Sequence, residues 1–171
     1  MKQLPLILFA VFVCGDSSLS PSASTQKVWT PTEISSCFKG PELRKSKIDS
    51  RVNPYYLRGD FDGDGKPDFA VMILGPNSES SGLAICHGNG QRFVLGAGSV
   101  PKFSTWKDDN FLSSEWEVAT LSQFRELVYD KKAGINAKGE VIVLWWEDGS
   151  AYIFWDGEKY RWLSEPAGGP H

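Results

Sequence analysis

The chain has 171 residues, a formal net charge of −3, and is 41% hydrophobic and 13% aromatic. That length suits one domain, and the apolar content is enough for a packed core, which excludes a disordered chain. The mild acidity excludes the basic footprint of a nucleic-acid binder or of a protein held by charge on anionic lipid.

Residues 1–24 read as a targeting signal. Lys2 supplies a positive charge, and Leu4 to Val13 is an apolar run too short to span a bilayer as a permanent helix. Gly15-Asp16-Ser17 and Ser22-Ala23-Ser24 both offer small residues to a signal peptidase. The protein is therefore expected to be exported, to the periplasm, the cell envelope or the outside; a buried N-terminal strand is the alternative. Cys14 closes the apolar segment ahead of a Ser-rich stretch, and in this it resembles a bacterial lipoprotein signal. That resemblance implies a lipid on Cys14, the one expected tie to a membrane. If Cys14 is removed instead, Cys37 and Cys86 remain. An even pair in an oxidising compartment is expected to form a disulfide, worth about 3–4 kcal/mol on the chain-entropy model. Two unpaired buried thiols are the alternative.

A polar linker over 25–30 leads into the expected folded domain, 31–166, with a flexible tail at 167–171. Thr30-Pro31-Thr32-Glu33 reads as a capping box with Pro at the first helical position, so a short helix should begin there, with Ile34, Cys37 and Phe38 on one face. Gly40-Pro41 should stop it. Ile48 to Asn53 is polar and ends at Pro54. Tyr55 to Arg58 reads as a strand, and Phe69 to Leu74 as a central strand buried on both faces. Leu83 to Cys86 and Arg92 to Leu95 should pair antiparallel about the turn His87-Gly88-Asn89-Gly90. Lys107 to Asn110 reads as a surface loop, and Leu121 to Tyr129 as a short helix. Val141 to Trp146, Ala151 to Trp155 and Lys159 to Leu163 read as three strands joined by Asp-Gly turns. The expected fold is mainly β: an antiparallel, sandwich-like meander in a single domain with one or two short helices.

The strongest chemical signal is Asp60-Phe61-Asp62-Gly63-Asp64-Gly65-Lys66-Pro67-Asp68. Calcium is a hard cation that takes six to eight oxygens. Carboxylates at alternating positions can converge on one ion, and Gly65 permits the sharp turn between them. Lys66 can offer its backbone carbonyl, and Asp68 can coordinate directly or through water. Four carboxylates so close repel one another, so a cation is the natural resolution. Pro67 and the apolar strand beyond exclude the second helix of an EF-hand, and Val71 stands where an EF-hand needs Glu. The segment Gly59 to Val71 resembles the calcium loop of FG-GAP (VCBS-type) repeats, which join two strands of a propeller blade in integrin-like and bacterial surface proteins. The resemblance implies Asp60, Asp62, Asp64 and Asp68 as side-chain ligands and Lys66 as a carbonyl ligand of Ca2+. It covers the loop alone: a ring needs several copies, and this chain carries one. The structural alternative is a polar Asp-Gly turn that takes no metal.

Two other features compete for function. His87 is a candidate general base, but no nucleophile motif or second zinc-ligating histidine accompanies it. Trp146, Trp155 and Trp162 lie on the C-terminal strands; they are candidates for an aromatic binding face, with core packing as the default. The expectation is a non-enzymatic, calcium-binding module that recognises a protein or a glycan. A small envelope hydrolase using His87 and nearby carboxylates is the alternative, and an envelope inhibitor or immunity-type protein is a third reading.

Overall fold

The structure is a computed structural model and describes residues 31–98, 115–128, 136–147 and 149–166. The segment expected to be a signal, with Cys14, and the linker, Lys107–Asn110 loop and tail expected from the sequence lie outside the described residues. The fold is mainly β, with two antiparallel sheets among the described residues. The first sheet holds β1 (Lys47–Ile48), β2 (Tyr56–Gly59), β3 (Asp68–Leu74), β4 (Ser81–Cys86) and β5 (Arg92–Gly96). β1 and β2 share one edge of β3, and β4 and β5 follow on the other side. The second sheet is a meander of β6 (Glu115–Ala119), β7 (Val141–Trp146), β8 (Gly149–Trp155) and β9 (Tyr160–Pro166).

Period-two alternation divides each strand between two hydrophobic layers. Ala70, Met72, Leu83 and Ile85 of the first sheet share a central core with Ile142, Leu144 and Ile153 of the second. On the far side of the first sheet, Val71, Ile73, Ala84 and Cys86 are covered by Ile34 and Cys37 of α1 (Thr32–Cys37) and by Leu43 of a following 3-10 turn. On the far side of the second, Val141, Val143, Tyr152 and Phe154 are covered by Phe124 of α2 (Leu121–Leu127) and by Val128. A helix thus caps each outer face, which explains the unbroken apolar runs of β3 and β7. A strand buried on both faces has no polar side to show.

The differences from the sequence expectation are local. α1 begins at Thr32 with Pro31 in the cap position and no side-chain cap. The capping box with both reciprocal bonds stands instead at Thr120 and Gln123 of α2. Two strands were not expected: β1, too short to carry a pattern, and β6, whose alternation of Glu115 and Glu117 with Trp116 and Val118 marks a half-buried edge. Cys37 and Cys86 stand at disulfide distance, with Cα atoms 6.0 Å apart, joining α1 to the end of β4. Trp146, Trp155 and Trp162 are half-buried and packed against the central core.

Candidate metal centre

The acidic loop joins β2 to β3. Gly59 pairs with Asp68 across the hairpin, so Asp60 leaves one strand where Asp68 enters the other. Gly63 and Gly65 adopt positive φ (76° and 80°), and these two left-handed residues fold the acidic segment back on itself. At Gly63 a side chain is also excluded by space: a Cβ there would lie 2.3 Å from the Lys138 carbonyl oxygen.

Asp68 closes the loop from inside. It is fully buried; its Oδ2 accepts from the amides of Phe61 (2.8 Å) and Asp62 (3.3 Å), and its Oδ1 from the amide of Gly88 (2.7 Å). Burial holds its carboxyl above the ordinary range, and the Gly88 and Phe61 amides pull the other way. The last of these bonds ties the loop to the β4–β5 turn. Asn89 of that turn also donates to Asp62 Oδ2 at 3.2 Å.

A second clamp comes from the segment ahead of β7. Glu140 accepts the Asp60 amide on Oε2 at 2.8 Å, and its own amide donates to the Asp60 carbonyl at 2.7 Å. Gly139 makes this approach feasible, because a Cβ would stand 2.3 Å from the Asp60 carbonyl oxygen. The loop is therefore held by parts of both sheets.

Asp60, Asp62 and Asp64 converge, with one carboxylate oxygen of each within 4.8 Å of the others. Some of their charge is met locally. The amide of Gly65 donates to Asp60 Oδ2 (3.0 Å) and that of Asp64 to Asp62 Oδ1 (3.1 Å). The Lys66 amide and, less strongly, its ammonium 3.0 Å away hold the Asp64 carboxyl below the ordinary range. Asp60 Oδ1 is buried and has no hydrogen-bond partner among the described residues. A buried carboxylate oxygen without a donor costs desolvation energy that a cation would return. The Asp60, Asp62 and Asp64 group offers only oxygen donors and could hold a metal ion.

His87 is drawn into the same neighbourhood. Its ring is fully buried, with Nδ1 3.0 Å from Asp62 Oδ2 and Nε2 2.6 Å from the Tyr160 hydroxyl. The Nδ1 contact is one of proximity, without the alignment of a hydrogen bond. Asp62, Asp68 and His87 thus form a second group of converging donors, sharing two members with the loop. Burial first, then the charges of Asp68 and Asp62, push the Tyr160 phenol far above its ordinary range. Phe93 and Trp155 complete an aromatic cage around the imidazole, with ring centroids 4.9 and 5.5 Å away.

All five residues expected to hold metal lie on this loop. Of the three tryptophans, Trp155 reaches the neighbourhood through its contact with His87; Trp146 and Trp162 pair with each other at 6.1 Å. Sequence reasoning missed Asn89, Gly139, Glu140 and Tyr160. The Gly-Glu pair at 139–140 was the one visible sign of a close approach. Comparison of the chain with protein-family models, with curated proteins and with solved structures finds no match.

Proposed function

We propose that this protein is an exported, calcium-binding β module of the cell envelope or extracellular space that works by recognising a protein or a glycan, without catalysis. The observation that carries the metal reading is the convergence of Asp60, Asp62 and Asp64 around a buried oxygen, Asp60 Oδ1, that lacks a donor. The likeness of Gly59 to Val71 to the FG-GAP calcium loop supports the same ion. Asp60, Asp62 and Asp64 would hold it by side chains and Lys66 by its carbonyl, with Asp68 supplying whatever lone pair its three backbone donors leave. Bound calcium would neutralise the crowded carboxylates and fix the β2–β3 hairpin against the β4–β5 turn. The N-terminal signal-like segment and a cysteine pair at bridging distance both fit an oxidising, exported setting.

One observation favours the hydrolase reading: Asp62, His87 and Tyr160 form a continuous array. Burial weighs against it. Tyr160 is 5% exposed and the His87 ring has no exposed surface, so both imidazole nitrogens face protein groups. A phenol whose ionisation is made harder by burial is also a poor nucleophile.

The test is thermal unfolding of the mature protein in millimolar calcium and in chelator. Calcium binding only the folded loop should raise the melting temperature, with a dissociation constant on the order of 10⁻⁵ to 10⁻³ M. Identical melting curves would remove the metal reading. Ester, peptide or glycoside turnover abolished by His87→Ala would replace recognition with catalysis.

A further inference from the structure

A cleft of about 390 Å³ opens beside the metal loop, within the size range of small-ligand sites. Its lining is divided. Phe69, Pro67 and the Cys37 and Cys86 pair give it apolar surface, while Arg58, Lys66 and Arg92 face it with one carboxylate, Glu33. Three cations against one anion leave a local positive excess in a protein of net charge −3.

These cations are not consumed by the fold. Arg58 is exposed on β2, and its side chain has no hydrogen bond or ion pair among the described residues. Arg92 donates from Nε to the Cys37 carbonyl (2.9 Å) and from Nη1 to the Gly90 carbonyl (3.2 Å). Both partners are neutral, so its guanidinium is held in place without an ion pair among the described residues. A guanidinium fixed in advance loses little freedom on meeting an oxyanion. Lys66 is the exception, since its ammonium lies 3.0 Å from Asp64 Oδ2.

That pair couples the cleft to the loop. A cation held by Asp60, Asp62 and Asp64 takes over the Asp64 charge that retains Lys66. It also offsets the field of four carboxylates that would repel an anion next door. We propose that the cleft binds a small organic oxyanion, a carboxylate or phosphate ester on a compact apolar body, and that calcium in the adjoining loop strengthens this binding. The calcium dependence rests on the metal reading above; the cleft itself does not.

The experiment is an amide NMR titration of the mature protein with benzoate, phenyl phosphate and neutral benzamide, each in millimolar calcium and in chelator. The amides of Gly88, Gly90 and Gln91 should shift saturably with the two anions and not with benzamide. The tighter of the two identifies the oxyanion. Arg58→Ala, at an exposed position with no side-chain partner among the described residues, should weaken binding about tenfold, and Arg92→Lys should weaken it while keeping the charge. Calcium should tighten binding severalfold in the unmodified protein and less in Lys66→Ala, which keeps the carbonyl ligand. No saturable shift, equal shifts with benzamide, or unchanged affinity in Arg58→Ala would overturn the cleft proposal. The Gly65 amide separates the two claims. If it moves with calcium while the cleft stays silent, the cleft fails alone. If it ignores calcium while the anions still bind, the calcium reading and the coupling fail together and the cleft stands.

Discussion

Two Asp-Gly turns close hairpins in the two sheets, and they resolve their charge in opposite ways. In the β8–β9 turn, Asp156 Oδ1 accepts the amides of Glu158 and Lys159, both at 2.9 Å, and Oδ2 accepts from Arg161 Nε. One carboxylate meets three donors and nothing is left over. In the β2–β3 loop, Asp60, Asp62, Asp64 and Asp68 share their donors unevenly. Asp68 takes three, while Asp60 keeps a buried oxygen with none among the described residues. The same Asp-Gly composition thus leaves no surplus at the β8–β9 turn and a local surplus of carboxylate oxygen over donors at the β2–β3 loop. The two turns also share a support: Lys138 donates its amide to the Trp155 carbonyl, and its own carbonyl crowds Gly63.

The sharpest ways to break this comparison are substitutions that act on one turn and spare the other. The largest effect is expected from the pair Cys37 and Cys86, which anchors only the first sheet. Cys37→Ser with Cys86→Ser should cost about 3–4 kcal/mol in urea unfolding if the bridge is formed. Quantitative labelling of both thiols without reduction would contradict it. Next come the turn glycines. Gly63→Ala combines positive φ with a 2.3 Å approach to the Lys138 carbonyl and should cost about 3 kcal/mol. Gly157→Ala has φ of 106° but nothing nearer than Lys138 Cε at 3.5 Å, and should cost about 1–2 kcal/mol. Equal losses would show that the clamp on the acidic loop is loose.

Comparable to Gly157→Ala is Glu140→Ala, which strips the Asp60 amide of its acceptor and should cost about 1–2 kcal/mol. It should also weaken calcium binding, because Asp60 is then less firmly placed; an unaltered calcium affinity would remove Glu140 from the site's support. The smallest effect concerns pH. Asp156 is held down at about 2, first by the Lys159 and Glu158 amides and then by Arg161. Its folded value lies below the unfolded one of about 3.9, so its contribution is complete above that pH and is lost as pH falls toward 2. Because the amides outrank Arg161, Arg161→Ala should raise the Asp156 value only part of the way. A carboxyl NMR titration giving an ordinary value in the unmodified protein would contradict the donor count on which the comparison depends.

Much of the architecture was legible because burial writes itself into period. The apolar run at Phe69–Leu74 announced a strand covered on both faces, Val141–Trp146 announced a strand, and the Leu121, Phe124, Val128 spacing announced α2. The acidic loop was legible because its carboxylates are close in sequence as well as in space. The partners that hold it were not. Glu140 lies 80 residues from Asp60, and Tyr160 lies 73 from His87, distances over which no local pattern operates. Two strands that carry short or half-polar sequences, β1 and β6, escaped for the same reason: their pairing partners define them. The expected cap at Thr30 illustrates a competing force. Pro31 fixes its own φ and occupies the cap position, so the chain enters α1 one residue later than the motif suggests.

The most direct test of the central claim is a calorimetric calcium titration of the protein beside Asp62→Asn and Asp156→Asn. The unmodified protein and Asp156→Asn should each bind about one calcium with the same affinity, and Asp62→Asn should lose most of it. No saturable heat in the unmodified protein, or a loss in Asp156→Asn as large as that in Asp62→Asn, would contradict the assignment of the metal to the β2–β3 loop.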